Sequence, residues 1–128
     1  MNFQTIKILW KLRIKLKRFK LDKPREECGV FGVSDHEDAS ALVALGLHAL
    51  QHRGQEGCGI SSFDGKNFHL EKRQGLVGDH FTDSITIRKL PGKSAIGHNR
   101  YSTTGEGSLR NVQPFFADLY SSGVSLAH

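Results

Sequence analysis

Three glycine-punctuated clusters hold the side chains most able to do chemistry: Glu27-Cys-Gly-Val-Phe-Gly32, Leu50-Gln-His-Arg-Gly-Gln-Glu-Gly57 and Gly97-His-Asn-Arg-Tyr-Ser-Thr-Thr-Gly105. A thiol is a nucleophile, and a guanidinium is a planar fork suited to carboxylates. Taken one at a time, each group also has a structural explanation. Cys28 between apolar residues reads as buried filler, Arg53 as a cation complementing a helix C-terminus, and Arg100 as a surface charge. His48 and His52 lie four apart on one helix face, a spacing that metal ligands use. No Glu sits between them and no further ligand is apparent, so they read as structural histidines. The glycines lack the Lys-Ser/Thr of a phosphate-binding loop and the strand–GxGxxG–helix context of a dinucleotide site. Cys58, between Gly57 and Gly59, reads as small-residue packing.

Short alternating strands and helices must position these clusters. Residues 28–33 form a compact apolar run with two glycines, which predicts a buried strand that lets another backbone come close. Residues 39–52 carry Leu42, Val43, Leu45, Leu47 and Leu50 on more than one face, which predicts a helix between a sheet and a second layer. Gly54 is then expected as its left-handed cap. Residues 59–63 and 67–70 flank Asp64-Gly65, and Asp-Gly supplies the positive φ of a tight hairpin turn. Residues 80–90 predict a short helix, Pro91-Gly92 a turn, and residues 94–97 and 122–128 two further strands. There is no internal repeat or low-complexity tract. A mixed α/β or α+β layered domain follows.

Composition narrows the class. Two cysteines among 128 residues exclude a disulfide scaffold, and nothing approaches the ~18 uninterrupted apolar residues of a membrane span. The formal charge of +5 divides unevenly. Residues 1–27 hold nine Lys/Arg against Asp22, Glu26 and Glu27 (+6), which leaves nine against ten acids (−1) in residues 28–128. The basicity belongs to a leader, and the near-neutral body gives no nucleic-acid signal. The leader fits a strand by alternation from Trp10 to Lys17 and a helix by its Leu9, Leu12, Leu16, Phe19 stripe. It lacks the apolar core of a secretory signal. An organelle transit peptide fits its acid-free first 21 residues, while the Lys excess and the lack of Ser weigh against one.

Together the clusters are far more specific than any one of them. Residues 26–128 resemble, in order and spacing, the glutamine amidotransferase domain of N-terminal-nucleophile hydrolases, and within it the amidophosphoribosyltransferase family. The likeness rests on Glu-Glu-Cys-Gly-Val-Phe-Gly-Val, Leu-Gln-His-Arg-Gly-Gln-Glu-Gly, Gly-His-Asn-Arg-Tyr-Ser-Thr-Thr-Gly and Asn111-Val-Gln-Pro-Phe115. Sister families with the same glutaminase fold are less similar at His52-Arg-Gly-Gln-Glu56 and Arg100-Tyr101. The resemblance implies an α+β fold, the four-layer αββα sandwich of that class, with only its N-terminal part present. It implies a basic leader or propeptide over residues 1–27, and residues 28–128 as the start of the amidotransferase domain.

The resemblance also implies a mechanism. Cys28 would be the nucleophile, and it must become the first residue, because its own α-amine is the base. An α-amine titrates near ~7.7–8.0 and a thiol near ~8.5, a matched pair for proton transfer at neutral pH. Cleavage between Glu27 and Cys28 follows from that need. The thiolate would attack the glutamine carboxamide, release ammonia and leave a thioester for water. Arg100 would hold the substrate carboxylate, Thr103 would add polar contacts, Tyr101 would shape the pocket, and Arg53 would support the nucleophile. In the family an Asn-Gly following Leu-Ala-His forms the oxyanion hole, so residues 1–128 alone are expected to be inactive. The phosphoribosyltransferase domain, with phosphoribosyl pyrophosphate, magnesium and any 4Fe-4S cluster, would lie outside this segment, which itself needs no metal or cofactor. The parent would be a cytoplasmic homo-oligomer making 5-phosphoribosylamine in purine synthesis. The alternatives are the glutaminase domain of another class II amidotransferase, or a non-catalytic fragment whose leader docks on acidic membranes or RNA.

Overall fold

The computed structural model describes residues 27–101 and 108–128, so the expectations for residues 1–26 lie outside the described residues. The chain forms β1 (Gly29–Val33), α1 (Ala39–Ala49), a 3-10 turn (Gln51–Arg53), β2 (Gly57–Phe63) and β3 (Phe68–Gln74). Two short helices follow, α2 (Val77–His80) and α3 (Ser84–Arg88), then β4 (Ser94–Arg100), β5 (Phe115–Leu119) and β6 (Ser122–Leu126). The first four strands make an antiparallel sheet in the order β1-β4-β2-β3, and β5 pairs with β6 separately.

Strand alternation sorts the first sheet into two faces. Cys58 and Ile60 of β2 and Ala95 of β4 join Ala39, Val43, Ala44 and Leu47 of α1 in one buried core, closed by Val77, Phe81 and Leu90. Full burial of each of the larger aliphatic side chains contributes about 1.5–3 kcal/mol. Two buried hydroxyls pin the connection before β4: Ser40 Oγ donates to Leu90 O at 2.7 Å and Ser62 Oγ to Pro91 O at 2.8 Å. The opposite face meets the second sheet through a row of rings. Phe63 and Phe68 lie 4.8 Å apart, and Phe68 and Phe116 5.3 Å. Lys72 Nζ sits 5.1 Å above the Phe115 ring. Helix, sheet and sheet are three layers of the αββα sandwich.

Several local expectations hold. Asp64-Gly65 makes the β2–β3 hairpin, with Gly65 at φ +99° and Asp64 Oδ1 accepting the Lys66 and Asn67 N–H groups at 2.8 Å each. Burial pushes the Cys58 thiol up to about 12, against the opposing pull of Arg73, so this cysteine is an inert core residue.

Other expectations need correction. The strand starting near Cys28 is not buried: among the described residues β1 lies at the edge of its sheet with Val30 and Phe31 exposed, because only β4 pairs with it there. The long helix covers one face rather than two. Leu45 is 66% exposed, and α1 ends at Ala49 before the separate 3-10 turn. The helix expected over residues 80–90 is two short ones, because the Asp83 side chain accepts the Ile85 N–H and starts a new helix. Gly54 is extended (φ −166°), not left-handed. It is small because a Cβ there would lie 2.6 Å from the Arg100 carbonyl carbon.

Glycines needed for space and for φ should therefore differ in cost. A methyl at Gly59 would collide with the Gln113 carbonyl oxygen, whereas Gly65 has open space around it. Gly59→Ala is expected to destabilise by about 2–3 kcal/mol through overpacking, and Gly65→Ala by about 1 kcal/mol through its positive φ. Urea midpoints of the two variants against the parent protein measure the difference.

Candidate functional site

Antiparallel pairing of β4 with both neighbours places the starts of β1 and β2 at the C-terminal end of β4. Gly29 stands opposite Asn99, and Gly57 opposite Arg100. The turn after α1 reaches the same rim. The three clusters, far apart in sequence, therefore meet at one edge of the sheet.

Cys28 is partly exposed there, just before β1. Its Sγ accepts the Tyr101 N–H at 3.4 Å and lies 3.7 Å from the Tyr101 carbonyl as a donor. Arg53 Nε donates to the Cys28 carbonyl at 3.3 Å, which fixes the backbone that carries the thiol. Gly54 lets this turn press against the Arg100 backbone, and Glu56 N–H donates to Arg100 O at 3.2 Å. Arg100 and Cys28 project from the same face of the sheet, toward the second sheet. Arg100 is only 8% exposed, and among the described residues it forms no ion pair. A buried guanidinium without a carboxylate partner is costly unless an anion fills its fork.

Four of the five residues singled out from sequence stand in this arrangement. Cys28, Arg53, Arg100 and Tyr101 converge, with Tyr101 touching the thiol through its main chain; Thr103 lies outside the described residues. Neither His48 nor His52 hydrogen-bonds to any of the four among the described residues: His52 lies in the turn beside Arg53, and His48 lies against Gly78.

Sequence reasoning gave no role to three supporting amides. Gln51 Nε2 donates to Gly54 O at 2.6 Å while its Oε1 accepts the Val77 N–H at 2.7 Å, tying the turn to α2. Asn99, fully buried, donates through Nδ2 to Leu47 O at 2.6 Å and satisfies a carbonyl near the end of α1. Gln113 Oε1 accepts the His128 N–H at 2.7 Å. Gln51, Asn99 and Gln113 all fall inside the quoted motifs, which was the available signal.

His98 shares a face of β4 with Arg100. Burial lowers its pKa to about 4, against an opposing pull from the His128 backbone and with smaller help from the charges of His128 and Arg100. An unfolded His titrates near ~6.5, so the unfolded chain takes a proton in this window and the folded one refuses it. Stability contributed by neutral His98 is complete above about pH 6.5 and falls as pH drops toward 4, by on the order of 3 kcal/mol. His98→Gln should flatten that part of the pH–stability curve, and NMR titration should find the native imidazole neutral at pH 5.5.

No family model matches the chain. Curated relatives do. The chain is 63% identical over 107 residues to an amidophosphoribosyltransferase of Rhizobium etli, a match covering 84% of this chain and 22% of the relative. It is 53% identical over 106 residues to a chloroplastic amidophosphoribosyltransferase of Glycine max, covering 83% and 18%. A solved structure described as the allosteric regulatory enzyme of purine biosynthesis matches with TM-score 0.69 and 43% identity, over 75% of this chain and 21% of that one. A second, the glutamine phosphoribosylpyrophosphate amidotransferase of B. subtilis complexed with ADP and GMP, matches with TM-score 0.68 and 42% identity, over 77% and 21%. The chain thus spans about a fifth of the length of the proteins it matches.

Proposed function

We infer that this chain, homologous over most of its length to amidophosphoribosyltransferases, is the glutamine-hydrolysing portion of such an enzyme. One observation carries the reading: a partly exposed thiol and a buried guanidinium without an ion-pair partner among the described residues share one face at one rim of the sheet. That is the equipment for attacking the side-chain carboxamide of an amino acid held by its α-carboxylate.

In this reading the peptide bond between Glu27 and Cys28 is cleaved, and the freed α-amine of Cys28 takes the thiol proton. Sγ attacks the glutamine carboxamide carbon, and the electron pair of the C=O bond moves to oxygen. Collapse of this tetrahedral species breaks the C–N bond, the amine returns the proton, and ammonia leaves. Water then hydrolyses the thioester to glutamate. The Tyr101 N–H at 3.4 Å stabilises the developing thiolate, and Arg53 holds the nucleophile's carbonyl so that Sγ keeps its place. Arg100 grips the α-carboxylate through its fork.

The ammonia goes on to phosphoribosyl pyrophosphate in the transferase part of the parent protein, giving 5-phosphoribosylamine, the first step of purine synthesis. Magnesium and any iron–sulfur cluster would belong to that part. Among the described residues no helix is long and apolar enough to cross a membrane. A thiol nucleophile needs a reducing compartment, and the cytoplasm is one that suits this reading.

Cys28→Ala in the complete protein should abolish glutamine-driven synthesis and leave ammonia-driven synthesis intact, measured as phosphoribosylamine formed from each nitrogen donor. Continued glutamine hydrolysis by this variant would refute the reading. Arg100→Lys keeps the charge and loses the fork, so it should raise the Michaelis constant for glutamine about tenfold or more with a smaller change in kcat. An unchanged constant would return Arg100 to a structural role.

A further inference from the structure

Gln51 is a half-buried amide that the mechanism leaves unused. It opens the 3-10 turn (Gln51–Arg53) that carries Arg53. The backbone bonds of that turn run from Arg53 N–H to Leu50 O at 2.9 Å and from Gly54 N–H to Gln51 O at 3.2 Å. Bonds of this kind are poorer in geometry than those of an α-helix, so a single such turn takes its fixed shape from what surrounds it.

Both ends of the carboxamide are used. Nε2 donates to Gly54 O at 2.6 Å, the carbonyl of the extended residue that closes the turn. Oε1 accepts the Val77 N–H at 2.7 Å. That N–H opens α2, and Leu76 before it supplies no side-chain acceptor, so Gln51 takes the place of a cap. Val77 is 2% exposed and lies in the apolar core, so the far end of the link is a fixed point. At the near end, Gly54 lies against the Arg100 backbone and Arg53 Nε donates to Cys28 O at 3.3 Å. One side chain thus joins the core to the turn, and the turn reaches Cys28. Among uncharged side chains of this length, a carboxamide alone accepts and donates from separate atoms.

We infer that Gln51 is a positioning residue for the nucleophile: by bridging Val77 and Gly54 it fixes the turn through which Arg53 holds Cys28 in place. The inference rests on the glutaminase reading above. Attack on a carboxamide needs Sγ about 3–3.5 Å from the carbon and aligned with it, and a misplacement of about 1 Å can cost about a hundredfold. Once cleaved from Glu27, Cys28 has no covalent hold on its N-terminal side, so its carbonyl and sulfur contacts carry its placement. Arg100 is set differently, by the pairing of β4 with β1 and β2, in which Gln51 has no part. Loosening the turn should therefore appear in turnover rather than in binding.

The test uses the complete, N-terminally processed protein. Gln51→Met keeps the length of the side chain and loses both hydrogen bonds, so it should lower kcat for glutamine about tenfold or more. The Michaelis constant for glutamine should stay within about twofold, and ammonia-driven synthesis should be unchanged. Gln51→Glu keeps the acceptor for the Val77 N–H, but an ionised carboxylate has no proton for Gly54 O, so this variant should be slowed as well. Because Gln51 acts through Arg53, adding Gln51→Met to Arg53→Met should cost less than about twofold further. Wild-type turnover in either single variant overturns the proposal, and so does the full loss reappearing in the double variant. A loss shared equally by glutamine- and ammonia-driven synthesis, or one lying in the Michaelis constant, overturns it too. If Gln51→Met does not fold, Gln51→Glu decides alone: slowed glutamine turnover supports the proposal and the parent rate overturns it. Cys28→Ala run alongside separates the two levels, since glutamine hydrolysis by that variant would overturn the reading beneath.

Discussion

The site depends on the double pairing of β4. A strand that pairs antiparallel with both neighbours sends its C-terminal end to the place where both neighbours begin. That single constraint brings Cys28 and Gly57 beside Arg100 and Tyr101, though they are separated by some seventy and forty residues of sequence. Register matters as much as proximity. A slip of one residue between β1 and β4 would turn Cys28 away from the face that carries Arg100, because strand side chains alternate. The apolar core on the α1 face fixes that register: Ala95 can lie under the helix only if His98 and Arg100 face the other way.

β4 is expensive for a central strand. His98, Asn99 and Arg100 are consecutive buried polar residues, and Asn99 Oδ1 and both His98 nitrogens have no partner among the described residues. Stability alone would have selected branched apolar residues there. The cost is offset by the core on the helix side and by the hydrogen bonds that Asn99 and Gln51 make to the end of α1 and its turn. Those bonds hold the turn that delivers Arg53 to the Cys28 carbonyl. The polar residues of β4 thus both carry the site and fasten the element that completes it.

Local signals in the sequence were legible where local physics decides. Asp64-Gly65 produced its hairpin because positive φ and an Asx acceptor act within four residues. Cys28, Arg53, Arg100 and Tyr101 were legible as a set because residue type and order survive in the motifs. Gly54 was misread because its reason is the backbone of Arg100, distant in sequence and adjacent in the fold, rather than its own φ. The exposure of Val30 and Phe31 was misread because apolar composition does not say whether a strand is central or at an edge. The roles of Gln51, Asn99 and Gln113 were hidden for a related reason. An amide's value lies in which orphaned backbone group it reaches, and that is a property of the folded chain.

The start of β1 suits the chemistry proposed for Cys28. A base supplied by an α-amine requires a free chain end beside the thiol. The residue there must nevertheless be held firmly, and it is: Tyr101 meets its sulfur and Arg53 its carbonyl. A nucleophile that has to be both a chain terminus and a fixed point is thus anchored by its side chain and its carbonyl, which leaves the amine to act as the base.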